Sequence, residues 1–599
     1  MAGNTPPIEG AGREAHDSAV RTPLAARIGS AAAGLRRPGR TRDFVLAAFA
    51  PLLSAAVTLW LVIPTLAPGV ASWDTAEFQT VGPVMGTAHP TGYPAYVVLG
   101  WIASCVLQPF GEPAFRMNLL QAILAAGAVA GAVAIVQFLT GMRWVALTTG
   151  LLLAWTNLFW RLSTHADPHM LHLALVALLF LLLLVWERRR TSREPETRRR
   201  AARWLVAAAC VYGIAVANHS LALLLPPAIA LFVLAVAPRI LLQWRLILTC
   251  AAILAATIAV FWLELPIRAA MHAPLVYGHP DTWSGFTYII LAQQFGGSLV
   301  DPWSDLGTKA GGVMDLISGW LGPLGYLAAV GLGTSLVRRP RYILLSGLSA
   351  VVACWFAASY ANADIERYYL VPLLVAFTWI GLGLADLVSL AAWFATVIQG
   401  RVAHLADARI PGPATASGPA TASGPVPVPV SAGRWQGHAM LAAEAVVAIA
   451  LLAANMAIVP ERQHVSDGDN PNGVSEADQT HDEIWMQAVL SPANQGGLPD
   501  GSVIVSWWST STTLWYGQKV DGLRPDILIV DDSNIVNDNL VDVRNVMDRY
   551  LGRRPVFLLR LPGDSSWDGM DALRAEYQIA SYTLPNGVSI DHVVARLNG

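Results

Sequence analysis

Two carboxylates and a histidine sit just beyond the first long apolar run, in Ser72-Trp73-Asp74-Thr75-Ala76-Glu77-Phe78 and His89-Pro90-Thr91-Gly92-Tyr93-Pro94. Ionisable groups at the edge of a bilayer cost free energy unless a water-filled cavity or a ligand uses them. On a helix, Asp74 and Glu77 share one face, so they cannot straddle a sugar from opposite sides as a glycosidase pair does. One carboxylate acting as base, with the other orienting a partner, fits better. Asp74 would take a proton from an incoming hydroxyl while that oxygen attacks an activated sugar carbon. The leaving group must then be good already, as a lipid phosphate is. The plainer alternative has Asp74 capping the loop helix and Glu77 simply hydrated.

Other polar groups interrupt the apolar sequence at intervals. The prolines and glycine of the His89–Pro94 turn fix the entry to the next helix, so His89 and Tyr93 are either turn-forming or substrate-facing. Trp160-Arg161-Leu162-Ser163-Thr164-His165-Ala166-Asp167-Pro168-His169 is dense in hydrogen-bonding groups for so short a connection. Its two histidines and aspartate are metal-ligand types, but their spacing matches no standard motif, so no metal site is assigned. His219 closes an apolar run and is a satisfied interfacial histidine or a ligand. Arg268 and Arg367 suit a phosphate by bidentate hydrogen bonding, or serve as salt-bridge partners. Tyr368 follows Arg367. Glu444, inside the last apolar run, reads as a packing or snorkelling residue.

These groups need a scaffold, and the composition says which kind. Of 599 residues, 54% are hydrophobic and 13% charged, which is too apolar for soluble domains and predicts a polytopic membrane protein. A nucleic-acid partner is not implied. Runs long enough to cross about 30 Å of hydrocarbon occur near 44–66, 115–139, 143–161, 168–187, 203–219, 220–237, 245–263, 313–336, 342–360, 368–394 and 438–459, about eleven spans. Treating 93–110 as a helix within the outer loop puts Arg188–Arg203, Arg239–Arg245 and Arg338–Arg341 in the cytoplasm with the N-terminal tail, as the positive-inside rule requires. Asp74, His89, His165, Asp167, His219, Arg268 and Arg367 then share the outer face.

The expected organisation is a disordered, basic cytoplasmic tail (1–43), a membrane core (44–394), a flexible linker (395–437) containing two copies of Pro-Ala-Thr-Ala-Ser-Gly, a last span (438–459) and an acidic extracytoplasmic α/β domain (460–599). In that domain, Ser502–Trp507, Pro525–Val530 and Pro555–Leu561 read as buried strands between helical patterns near 510–518 and 541–551. Its aromatics, Trp507-Trp508 and Leu514-Trp515-Tyr516, either fill a small core or stack on an acceptor. The four scattered cysteines suggest neither disulfides nor a metal site.

Several of these segments carry a resemblance. Asp74-x-x-Glu77, His89-Pro-x-Gly-Tyr-Pro94, Phe110-Gly111 through Arg116-x-Asn118, Trp160 to Asp167, Gly213 to His219 with Pro226, Leu265-Pro266-Ile267-Arg268 with the Gly278–Thr282 turn, and Tyr368-Tyr369-Leu370-x-Pro372 together resemble a membrane family, once a domain of unknown function, whose vertebrate member is a protein O-mannosyltransferase. That family belongs among the GT-C glycosyltransferases. The resemblance implies a GT-C fold, a catalytic acid at Asp74, a polyprenyl-phosphate sugar donor and inverting transfer on the outer face. Where many members have an acidic-Val-Tyr triplet this chain has Asp167-Pro168-His169, which leaves the role of Asp167 open.

The expectation is therefore a plasma-membrane GT-C glycosyltransferase with its N-terminus cytoplasmic. It would move a hexose, mannose by family likeness, from a polyprenyl phosphate to a hydroxyl of a protein or glycan of the cell envelope. Asp74 and Glu77 are the expected catalytic pair. His89, Tyr93, His165, Asp167, His219, Arg268, Arg367 and Tyr368 are expected to contact substrates, with no cofactor or metal required. A lipid or solute transporter and a non-catalytic envelope assembly protein are the rivals; a transporter would be expected to show internal repeats and broken helices near the midplane.

Overall fold

A computed structural model describes residues 38–362, 364–407, 431–466, 470, 472–531, 543–559 and 570–597. Residues Ala50–Gly599 form one compact unit; of the other, Met1–Phe49, the described part is helical from Pro38. The repeat-bearing part of the expected linker lies outside the described residues.

Among the described residues, seven helices are long and apolar enough to cross a membrane: Ala47–Thr65, Pro113–Thr140, His169–Arg190, Pro195–Asn218, Trp244–Ala270, Pro340–Ala357 and Ile365–Gln399. The chain is thus a multi-pass membrane protein. Trp244–Ala270 makes the physical case, since it exposes Leu248, Val260 and Leu263, a surface that only a hydrocarbon solvent tolerates. His169–Arg190 begins at the polar turn and ends in the arginine cluster; its 22 residues rise about 33 Å, the depth of a bilayer core. At the arginine end Arg341 pairs with Glu187 at 3.1 Å and Arg339 with Asp386 at 3.2 Å.

The other four expected spans are modified. Arg143–Ala154, Pro226–Val236 and Met440–Asn455 are shorter apolar helices, as is Pro94–Val106. Ser220–Leu224 is a 3-10 turn, and Pro226 starts a fresh helix because it has no N–H to continue the earlier one. The run near 313–336 is a bent pair, Leu306–Leu321 and Leu324–Arg338, meeting at 114° across Gly322-Pro323. The short helix Arg143–Ala154 is capped from another element: the Glu444 carboxylate accepts from the backbone N–H of Trp144 at 2.5 Å and of Val145 at 3.2 Å. That contact resolves the two readings of Glu444 in favour of packing, with the charge placed on the positive end of a helix.

Small residues set the closest helix contacts, as expected where lipid removes the hydrophobic drive for association. Gly331 lies against the Trp379 carbonyl and Gly383, so the helix Leu324–Arg338 packs backbone to backbone on Leu370–Asp407.

Beyond the last span a five-stranded sheet is built from β1 (Val503–Ser506), β2 (Leu528–Asp531), β3 (Val556–Leu559), β4 (Tyr577–Thr583) and β5 (Ser589–Arg596), in the order β2-β1-β3-β5-β4. The three expected strands form its parallel half, and the helices Trp508–Lys519 and Val543–Tyr550 fall where the pattern placed them. β4 and β5 add an antiparallel pair that the sequence reading did not contain.

Candidate active site

The helix Trp73–Val84 carries Asp74 in its first turn, where the positive end of the helix favours a carboxylate. It is held in place by a buried amide network. Gln79 accepts from the Ala71 N–H at 2.9 Å and donates to Asn118 Oδ1 at 3.0 Å; Asn118 donates to the Ala67 carbonyl at 2.8 Å and accepts from the Ala166 N–H at 2.9 Å. One asparagine thereby joins the first loop, the helix Pro113–Thr140 and the turn that presents Asp167. The turn before Pro94 is a second fixed point. Gly92 has φ 78, open to glycine at no steric cost, and a methyl there would meet Ile289 at 2.7 Å.

The sheet domain closes the site. Its helix Trp508–Lys519 docks on Trp73–Val84, with Thr513 donating to the Ala71 carbonyl at 2.8 Å and the Tyr516 hydroxyl accepting from the Ala114 N–H at 3.1 Å. This places the Trp508 indole N–H 2.9 Å from Asp74 Oδ1. The other oxygen, Oδ2, faces Arg367 at 3.2 Å. Arg367 also binds Asp167 at 3.0 Å and Asp364 at 2.7 Å, so one guanidinium gathers three carboxylates. Burial works against ionisation of Asp74, but His89, Arg367 and the Trp508 N–H outweigh it and hold the carboxyl below the usual range. Burial likewise opposes ionisation of Asp167, and His169 with Arg367 overcomes it, leaving Asp167 well below that range.

Asp74 and Arg367 form a wall between two cavities. One, about 240 Å³, is lined by Asp74, His89, Tyr93, His169, His219, Arg367, Tyr368 and Trp508 among others. The second, about 600 Å³, is lined by Asp74, Arg161, His165, Asp167, Arg367 and Glu476 among others. A carboxylate that lines both cavities, with a cation beside it, can be met by a group from either side.

Most of the expected site residues meet here, though not all face a cavity. Glu77 is buried and accepts from the His89 backbone N–H at 2.7 Å and from its Nδ1 at 2.5 Å, so it positions the histidine without reaching a cavity. Burial lowers the basicity of His89, yet the Glu77 carboxylate overrides this and raises it. Tyr93 lies 3.2 Å from His89 Nε2. His165 pairs with Glu476 at 2.8 Å on the second cavity. Arg268 is placed elsewhere: it donates to the carbonyls of Met85 at 2.8 Å and Val84 at 3.0 Å, tying the end of Trp73–Val84, and lines neither cavity. Trp508 and His169 are the additions. Trp508 was read as core or stacking, because an indole in an outer domain carries no mark of its partner. Among the described residues no group of three His, Cys, Asp or Glu side chains is set to hold a metal ion.

Residues 74–240, starting at the wall carboxylate itself, match the model of the protein O-mannosyl-transferase TMEM260 N-terminal domain. Over that segment of the membrane core the chain is similar to this family. The protein O-mannosyl-transferase TMEM260 of Mus musculus is 28% identical to it over 390 residues, 60% of this chain and 52% of the mouse protein. The chain thus spans about half the length of that curated relative. ArnT from Cupriavidus metallidurans, in a crystal structure bound to undecaprenyl phosphate, superposes with a TM-score of 0.51 at 14% identity, covering 92% of this chain and 98% of ArnT. That likeness is one of fold, and it extends over 92% of this chain.

Proposed function

We propose that this GT-C protein is a glycosyltransferase that moves a hexose, mannose by the likeness to the mouse protein, from a polyprenyl phosphate to a hydroxyl acceptor on the outer face of the membrane. One observation carries the reading: Asp74, held ionised by Arg367 and Trp508, is shared by two cavities. In the proposed reaction, Asp74 takes the proton of the acceptor hydroxyl as its oxygen bonds to the anomeric carbon. The bond from that carbon to the phosphate oxygen breaks on the opposite side, so configuration inverts and polyprenyl phosphate leaves with the electron pair. The leaving phosphate approaches Arg367 by displacing Asp364, the most exposed of its three partners at 71%. No metal or cofactor enters this scheme. The two halves of the acceptor question, protein or glycan, share the same hydroxyl chemistry, and the TMEM260 likeness favours protein.

The orientation proposed with this reading has the N-terminus in the cytoplasm and the sheet domain outside. The deciding experiment is transfer by the purified full chain from labelled polyprenyl-phosphate mannose to cell-envelope proteins, comparing wild type with Asp74→Asn. Loss of about 10²- to 10⁴-fold in rate is expected for removal of a general base; equal transfer by both proteins would remove Asp74 from the role. Absence of transfer by wild type, with uptake of a solute or lipid into proteoliposomes instead, would favour the transporter rival.

A further inference from the structure

Two histidines in the smaller cavity have complementary unmet needs. His169 Nδ1 lies 2.7 Å from Asp167 Oδ1, a pairing that puts the proton of the neutral ring on Nδ1 and leaves its Nε2 as an acceptor. His219 Nδ1 instead accepts from the Leu221 backbone N–H at 3.1 Å, so its proton sits on Nε2, a donor. Both Nε2 atoms are buried and have no hydrogen-bond partner among the described residues. The two rings are 4.6 Å apart, and both residues line the cavity that holds Asp74. Buried polar atoms are normally satisfied, and two such atoms on neighbouring rings of one cavity's lining residues point to a ligand.

The chemistry of that ligand follows from the pair. A phosphate or carboxylate offers acceptors alone and an ammonium donors alone, so either would satisfy one histidine and oppose the other. A hydroxyl donates one hydrogen bond and accepts another, meeting both. The rest of the wall suits the ring that would carry it: Tyr93 lies 5.3 Å from His219 and Tyr368 5.5 Å from His169, centroid to centroid, and Trp73, Phe295, Tyr360 and Trp508 add to the aromatic lining. We propose that His169 and His219 together bind one hydroxyl of the transferred hexose, which makes this end of the cavity the donor-sugar subsite and the pair its specificity element. The assignment rests on the hexosyltransferase reading above and adds to it the atoms that recognise the sugar.

Binding in detergent of polyprenyl-phosphate mannose, and of its 2-, 3-, 4- and 6-deoxy counterparts, to the full chain tests this without requiring turnover. With wild type, one deoxy donor should bind about tenfold or more weaker than the parent, because its absence leaves both histidines unpaired. In His219→Phe and in His169→Phe the parent should weaken to a similar level, and the penalty for the same deoxy donor should shrink to about twofold or less. A wild-type-only readout covers the case of a variant that fails to fold: in histidine labelled with nitrogen-15, the parent donor should shift two Nε2 resonances, and the critical deoxy donor should leave them at their free positions. Equal binding of all five donors by wild type, or a deoxy penalty that survives unchanged in both variants, would overturn the subsite while leaving the transferase reading intact. Failure of the parent donor to bind or react at all would overturn both.

Discussion

Asp74 accepts a hydrogen bond of 2.9 Å from the indole N–H of Trp508, a residue 434 positions further along the chain. The membrane core supplies the carboxylate and the sheet domain supplies the donor that, with Arg367, keeps it ionised. Trp508→Phe preserves the ring and deletes the N–H. Since that hydrogen bond lowers the affinity of Asp74 for a proton, its removal must raise it. The proposed base works in its deprotonated form, so the acid limb of kcat/KM should move to higher pH in the variant, with a rate loss of about tenfold at neutral pH for a hydrogen bond to a charged group. An unchanged acid limb would detach Trp508 from the base.

Arg367 is the second test. With its side chain 11% exposed it neutralises Asp74 and Asp167, and Arg367→Met would leave these carboxylates facing each other. Breaking such a buried cluster costs about 3–5 kcal/mol, which thermal melting in detergent would register along with loss of transfer. Arg367→Lys restores the charge but not the fork that reaches three partners at once, so it should recover part of the stability and little activity. A Met variant as stable as wild type would contradict the network.

Acid should tighten the seam where the sheet domain meets the first loop. Burial, with Glu483 and Asp521 nearby, pushes the Glu112 carboxyl up to about 7. In the unfolded chain Glu112 titrates near the ordinary 4.5, so between that value and 7 the folded state binds more protons and stability falls as pH rises. Melting temperature should therefore increase on acidification from pH 7.5 to pH 5.5 by a component that Glu112→Gln removes. A variant with the wild-type slope would show that the seam does not hold Glu112 protonated.

A fourth test concerns the membrane core. Gly331→Ala places a methyl on the Trp379 carbonyl, rigid backbone that cannot yield locally. The helices Leu324–Arg338 and Leu370–Asp407 must then separate, at a cost of about 1–3 kcal/mol by overpacking. Gly333→Ala, on the same helix with open space around it, is the control and should melt like wild type.

Much of the site is legible in the sequence because polar groups are costly against an apolar background. Asp74, His89, Tyr93, Asp167, His219, Arg367 and Tyr368 all stand out on that ground, and all line one or both cavities. What composition cannot show is the partner. Arg268 has the right charge for a phosphate but spends its donors on two backbone carbonyls. His169 lay in a turn already singled out, yet only its pairing with Asp167 reveals which nitrogen is left over. The fold divides in the same way. Continuous apolar runs marked the long spans and β1 to β3, whereas β4, Tyr577–Thr583, is mostly solvent-exposed and gave no such run. Hydropathy also could not tell a straight span from one turned through 114°, because Gly322-Pro323 sits between two runs of equal apolarity.

The bond between Trp508 and Asp74 also sets an order of events in biosynthesis. A nascent chain that has completed the helix Met440–Asn455 still holds a carboxylate without its indole donor, and the Asp74 site is complete only after the sheet domain has been made and has folded against the helix Trp73–Val84. Termination between Asn455 and Trp508 would keep the apolar helices and leave Asp74 without its indole donor.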